Sequence, residues 1–211
     1  MPSRFERQYF DEIRTVWEAF SPLHNIIPFC TPVLKSPDAL VIGMNHSDFV
    51  PNGGTESERI SRELTRRVPT ESTFLVHDHK FSQGIRGVCK LAGIELNEKW
   101  IGTNRCAVQT GPDGMAELRE NKAYRSCQTR MDEILRKFVV EIKPKNVILV
   151  GKFAAELFYL GAESLTFENL PPRAEALDSH GSFAMLIPIM HVSRGSFWKM
   201  GADRLRLNFV K

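Results

Sequence analysis

Asn45, Asn104 and His191 stand at or just beyond the ends of short apolar runs, with Phe49 and Ser193 close behind two of them. These residue types can recognise a planar heterocycle. A carboxamide offers a donor and an acceptor side by side and so matches the edge of a pyrimidine. An aromatic ring stacks on the face of such a base, and an imidazole donates to an oxygen that becomes anionic as a bond breaks. Arg194, Lys199, Arg204 and Arg206 add positive charge on the final element, beside His191 and Ser193.

Taken singly, each residue has a plainer reading. Asn45 and Asn104 suit strand-end turns, where Asn bonds its own backbone. His191 suits a satisfied boundary histidine, Phe49 a core residue, and the four cations a solvated helical face. Their common position at strand ends promotes them as a set. His77 and His79 flank Asp78 and would share one face of a strand, but no third and fourth ligand follow at metal-site spacing, so no metal is expected. Gly151-Lys-Phe-Ala lacks the further glycines of a phosphate-binding loop. Cys30, Cys89, Cys106 and Cys127 form no C-x-x-C pair and read as buried free thiols rather than zinc ligands or disulfides.

The elements that must hold these residues follow from periodicity. Phe5, Tyr9, Ile13, Val16, Trp17 and Phe20 recur at helical steps and open the chain with an amphipathic helix, followed by a Pro-rich connector. Ala39 to Gly43 is a buried strand, Thr55 with Glu58 caps a helix through about Val68, and Thr73 to Val76 reads as a strand. A helix ending at Gly93, a strand Trp100 to Cys106 and a long helix through Ile142 come next, the last stopped by Lys143-Pro144-Lys145. Val147 to Val150 is a strand before a helix Phe153 to Leu160. Met185 to Met190 is the last strand, ahead of a helix bearing Trp198 and Leu205. Strands alternating with helices, apolar on both faces, predict a three-layer α/β/α sandwich around a mainly parallel sheet. Ligand sites in such sheets lie at the carboxyl ends of strands, where Asn45, Asn104 and His191 fall. The segments 51–54, 111–121 and 167–182 read as loosely structured.

Composition bounds the rest. The chain has 211 residues, 42% hydrophobic and 25% charged, which fits a single globular domain with 1–37 as N-terminal helix and connector. Its apolar runs are far below the ~18 residues of a membrane span, and the N-terminus lacks an apolar secretion core, so a cytoplasmic protein is expected. A net charge of +3 is too mild to imply nucleic-acid binding by itself.

Val41-Ile-Gly-Met-Asn-His-Ser-Asp-Phe49 resembles the first motif of the uracil-DNA glycosylase superfamily, which reads G-M-N-P-G-P-F in its single-strand-selective monofunctional branch and G-x-N-P-G in its mismatch-specific branch. Gly43, Met44, Asn45 and Phe49 match. His191-Val-Ser193 resembles the second motif, H-P-S, again between an apolar strand and a helix. Gly102-Thr-Asn104 and the segment Cys127 to Leu157 resemble parts of the iron-sulfur branch. The matches occur in order over about residues 39 to 206. The resemblance implies that Asn45 positions the attacking water, Phe49 stacks on the base, Asn104 reads its edge and His191 stabilises the departing base. Gly43 and Met44 would line the pocket and Ser193 would grip a phosphate.

His46, Ser47 and Val192 stand where the motifs carry Pro, Gly and Pro, and the cysteines do not provide a cluster site. Two readings therefore stand side by side. One is a monofunctional glycosylase that flips uracil or a related damaged base from DNA in base excision repair, acting as a monomer without a cofactor, with Arg194 and Lys199 on DNA. The other is a nucleic-acid or base-binding protein of the same fold that has lost efficient catalysis. A metal hydrolase built on His77, Asp78 and His79 is a weaker third.

Overall fold

The computed structural model describes residues 4–18, 26–44, 68–76, 80–109, 118–192 and 195–211. In chain order these form α1 (Arg4–Glu18), β1 (Ala39–Gly43), α2 (Thr73–Val76), α3 (Lys80–Ala92), β2 (Trp100–Asn104), α4 (Lys122–Ile142), β3 (Asn146–Val150), α5 (Lys152–Ala155), β4 (Arg173–Ala176), β5 (Phe183–Ile189) and α6 (Trp198–Asn208). The sheet order is β2-β1-β3-β5-β4. β2, β1, β3 and β5 run parallel, and only β4 is antiparallel, on β5.

The strands are apolar without alternation because both sheet faces are covered. Leu40, Ile42, Ile101, Val147, Leu149 and Leu186 point into one core with Tyr9 and Ile13 of α1 and Leu135 and Phe138 of α4. Ala39, Val41, Trp100, Ile148, Val150 and Ile187 face the other core with Ile85 and Val88 of α3 and Ala202 and Leu205 of α6. The result is the three-layer α/β/α sandwich expected. Each buried Val, Leu or Ile contributes about 1.5–3 kcal/mol, so the central strands are fixed by packing rather than by local propensity.

The connector after α1 closes the outer edge of β2. Ile26 bridges Val108 and Phe29 bridges Thr103, both antiparallel, and Cys30 N–H donates to the Gly102 carbonyl at 2.9 Å. Thr103 Oγ1 donates to the Pro28 carbonyl at 2.7 Å, so an edge with free backbone groups is covered. At the other end of the strands, buried Asn146 donates to the carbonyls of Asp38 and Val210 and accepts from Val210 N–H, pinning the C-terminal segment. Lys143, with φ 49°, ends α4 in the left-handed region just before Pro144, where the Lys-Pro-Lys stop was expected.

Three local expectations are corrected. Thr73–Val76 is a helical turn, not a strand: Leu75 and Val76 N–H both donate to the Ser72 carbonyl, and the Phe74 ring fills the space above Gly102. A four-residue apolar run has no period of its own, and packing decided it. The helix after β3 stops at Ala155 and passes into turns that reach Gly161 at φ 71°. Within 167–182, β4 is a strand that the sequence conceals, since Arg-Ala-Glu-Ala is a mostly exposed polar edge with no apolar face to announce it.

Candidate functional site

Parallel pairing delivers the carboxyl ends of β2, β1, β3 and β5 to one edge of the sheet. Gly43 lies opposite Asn104, and Val150 opposite Ile189, so Asn104 and His191 stand on the same edge with two strand ends between them. Three strand spacings of roughly 4.8 Å separate β2 from β5, a gap that a heterocycle and its flanking side chains can fill. The two central strands run into glycine there, Gly43 and Gly151.

Those glycines shape the gap differently. A Cβ on Gly43 would lie 2.4 Å from Asn104 Oδ1, so the Asn104 carboxamide leans over the end of β1 into space that only glycine leaves. Gly151 has φ 88°, which makes glycine the natural residue, and a Cβ there would meet the His191 side chain only at an ordinary 3.8 Å. The Gly151 N–H donates to the Ile189 carbonyl at 2.8 Å, setting where the chain leaves β5 towards His191.

Asn104 is only 6% exposed. Among the described residues its side chain makes one hydrogen bond, Nδ2 to Cys30 Sγ at 3.8 Å. A thiol is a weak acceptor, and no described residue donates to the amide oxygen. Burial pushes the Cys30 thiol up to about 12, so this sulfur stays neutral. Directly after Asn104, Arg105 N–H donates to the Gly43 carbonyl and Cys106 N–H to that of Met44. The Arg105 guanidinium is buried and grips Asp132 of α4 through two bonds of 2.8 and 2.6 Å, with the Phe153 carbonyl at 2.6 Å and Glu156 at 3.1 Å. Burial alone would lower its pKa, and the two carboxylates carry it upward instead. Gln128 joins the network by donating to Asp132 and to the Arg105 carbonyl. The residue after Asn104 is thus anchored to α4 by charge and to α5 through the Phe153 carbonyl.

His191 follows β5 and keeps an exposed surface, yet its neighbourhood desolvates the ring enough to lower its pKa. A neutral imidazole is the result at neutral pH. Its ring centroid lies 6.0 Å from that of Phe81, a residue the sequence reading passed over. The next residue, Val192, is buried and its carbonyl accepts from Trp198 Nε1 at 2.8 Å. Gly84 and Gly87, three apart on one face of α3, were the available signal for Phe81: such spacing marks a helix packed closely against a neighbour.

The remaining expected site residues divide. The partly buried Met44 side chain packs against the core that α1 and α4 share, one residue beyond Gly43 at the end of β1. Lys199 is exposed on the first turn of α6. Arg204 and Arg206 are not a free basic face: Arg204 donates to the carbonyls of Phe167, Leu170 and Pro188, and Arg206 to Asp203 and the Leu91 carbonyl. Asn45, Phe49, Ser193 and Arg194 lie outside the described residues, as do His46, Ser47, Asp48 and the His77, Asp78, His79 group. Among the described residues no three His, Cys, Asp or Glu side chains are grouped to hold a metal ion, and no helix is long and apolar enough to cross a membrane. Among the described residues, two open surface grooves lie away from this edge, one beside Arg136, Leu157 and Glu175 and one between α1 and α4. No protein-family model matches this chain, and no curated protein matches it either.

Proposed function

We propose that this protein is a monofunctional DNA glycosylase that hydrolyses the bond between deoxyribose and uracil, or a related damaged base, in base excision repair. It acts as a cytoplasmic monomer, without a metal or other cofactor. The observation that carries the reading is Asn104: a nearly buried carboxamide, steadied by a thiol through one N–H, with no further partner among the described residues, on the same sheet edge as a neutral His191. An imide edge presents an N–H beside a carbonyl, which is the complement of a carboxamide.

In the reaction, the bond from C1′ to the base breaks with its electron pair leaving on the base, and water adds to C1′ and loses a proton to solvent. The transition state separates positive charge on the sugar from negative charge on the base. His191 donates its ring N–H to the base oxygen where that charge gathers, and a neutral donor positioned in advance stabilises it without giving up its proton. Asn45, by its motif, orients the water, and an amide can do no more than orient. Phe49 and Ser193 complete the pocket and the phosphate grip. Lys199 and Arg194 hold the DNA backbone, which positions the duplex and carries no sequence information.

Incubation with uracil-containing oligonucleotides, followed by detection of free uracil, tests the reading. Strand breaks should appear only after alkali, because a monofunctional enzyme leaves an intact abasic strand. Binding of such DNA with no release of base would favour the catalytically weak binding protein instead.

A further inference from the structure

Phe81 joins the two halves of the candidate site. Its Cζ lies 3.4 Å from the Cβ position of Gly43, the same point that Asn104 Oδ1 approaches to 2.4 Å. The same ring lies 6.0 Å from that of His191, with 52° between planes. Phe74 backs it at 6.2 Å between centroids. Unlike Phe74, which is 2% exposed, Phe81 is only partly buried.

This placement is built by α3. A Cβ on Gly84 would strike the Val192 carbonyl at 2.5 Å, and one on Gly87 would strike the Trp198 ring at 2.5 Å, so the helix is seated directly against the segment carrying His191. Ser82 Oγ donates to the Thr73 carbonyl at 2.9 Å and Arg86 to that of Phe74, tying α3 to α2 beneath the ring. A partly buried aromatic ring packed on Phe74, near both a carboxamide and an imidazole, offers a surface for a flat ligand whose edges those two groups take.

We infer that Phe81 is the aromatic wall of the pocket, stacking on the face of a pyrimidine held between Asn104 and His191. The identity of that ligand rests on the glycosylase reading. Base stacking on a side-chain ring is sequence-tolerant and contributes mainly affinity, so replacing the ring with an apolar chain of similar size should weaken binding about tenfold while the fold is kept.

The test uses 5-fluorouracil and its fluorine resonance. Wild type should bind it with a ring-current displacement, Phe81→Tyr should keep affinity and displacement, and Phe81→Met and Phe81→Leu should lose most of both with unchanged circular dichroism. Equal affinity and equal displacement in a folded Phe81→Met or Phe81→Leu protein overturns the wall, as does wild type that fails to bind 5-fluorouracil. Wild type that binds with these properties but releases no uracil from DNA leaves the wall standing and defeats the glycosylase reading, so the two failures are told apart.

Discussion

Gly43 and Asn104 act as one unit, because the carboxamide oxygen occupies the place where any side chain at 43 would begin. Gly43→Ala should therefore turn the Asn104 amide and cut uracil excision at least tenfold, while overpacking costs only about 1–3 kcal/mol of stability. Single-turnover rates beside urea denaturation separate the effects, and an unaltered rate would detach Asn104 from base recognition. His191 supplies a second prediction. Desolvation lowers its folded pKa, whereas in the unfolded chain it takes up a proton near pH 6.5. Below that pH the unfolded state holds more protons, so stability falls as pH drops through 6.5 and the loss levels off beneath the folded pKa. His191→Asn should lose less stability between pH 7.5 and 5.5 than wild type does. An identical loss in both proteins would show that the ring is not desolvated.

At the scale of elements, the site depends on two devices that set where strands and helices end. One is the Arg105 network, in which a buried guanidinium faces Asp132 with both side chains largely hidden. Removing one partner of such a pair costs about 3–5 kcal/mol because the other charge stays buried, whereas replacing both with apolar groups is close to neutral. Asp132→Ala should be strongly destabilised in urea, and Arg105→Met with Asp132→Leu should recover most of the loss; equal instability of the two would contradict the account. The other device is the glycine face of α3, whose effect depends on tertiary packing. The parallel strands are legible because their apolar runs have no alternation, and their order along the chain is enough to place Asn104 and His191 on one edge. Phe81 was not legible, since its role comes from how closely Gly84 and Gly87 let α3 approach Val192 and Trp198, which is a tertiary distance. β4 and the turn at Thr73–Val76 escaped for related reasons: an exposed polar edge carries no periodic signal, and four residues are too few to choose between helix and strand. Arg204 looked like a surface cation, yet three carbonyls brought together by the fold make it a clamp.

For the whole molecule, that last distinction sorts the basic residues of the C-terminal element. Lys199 is exposed, so Lys199→Ala should weaken DNA binding alike for all sequences and reduce the salt slope by about one ion, with stability unchanged. Arg204→Ala should instead lower stability, leaving carbonyls of Phe167, Leu170 and Pro188 without their donor. Salt titrations of oligonucleotide binding, read beside thermal melts, check both; a Lys199 variant with wild-type salt dependence would remove α6 from the DNA surface. The central claim is that this sheet edge breaks a glycosidic bond, and it is tested most directly by single-turnover excision from single- and double-stranded oligonucleotides containing uracil, with alkali revealing each abasic site. Wild type should convert substrate completely, His191→Ala and Asn45→Ala should be slower by about a hundredfold or more, and Asn104→Asp should be impaired on uracil in particular. Wild type that leaves every uracil in place, or the three variants excising as fast as wild type, would contradict it.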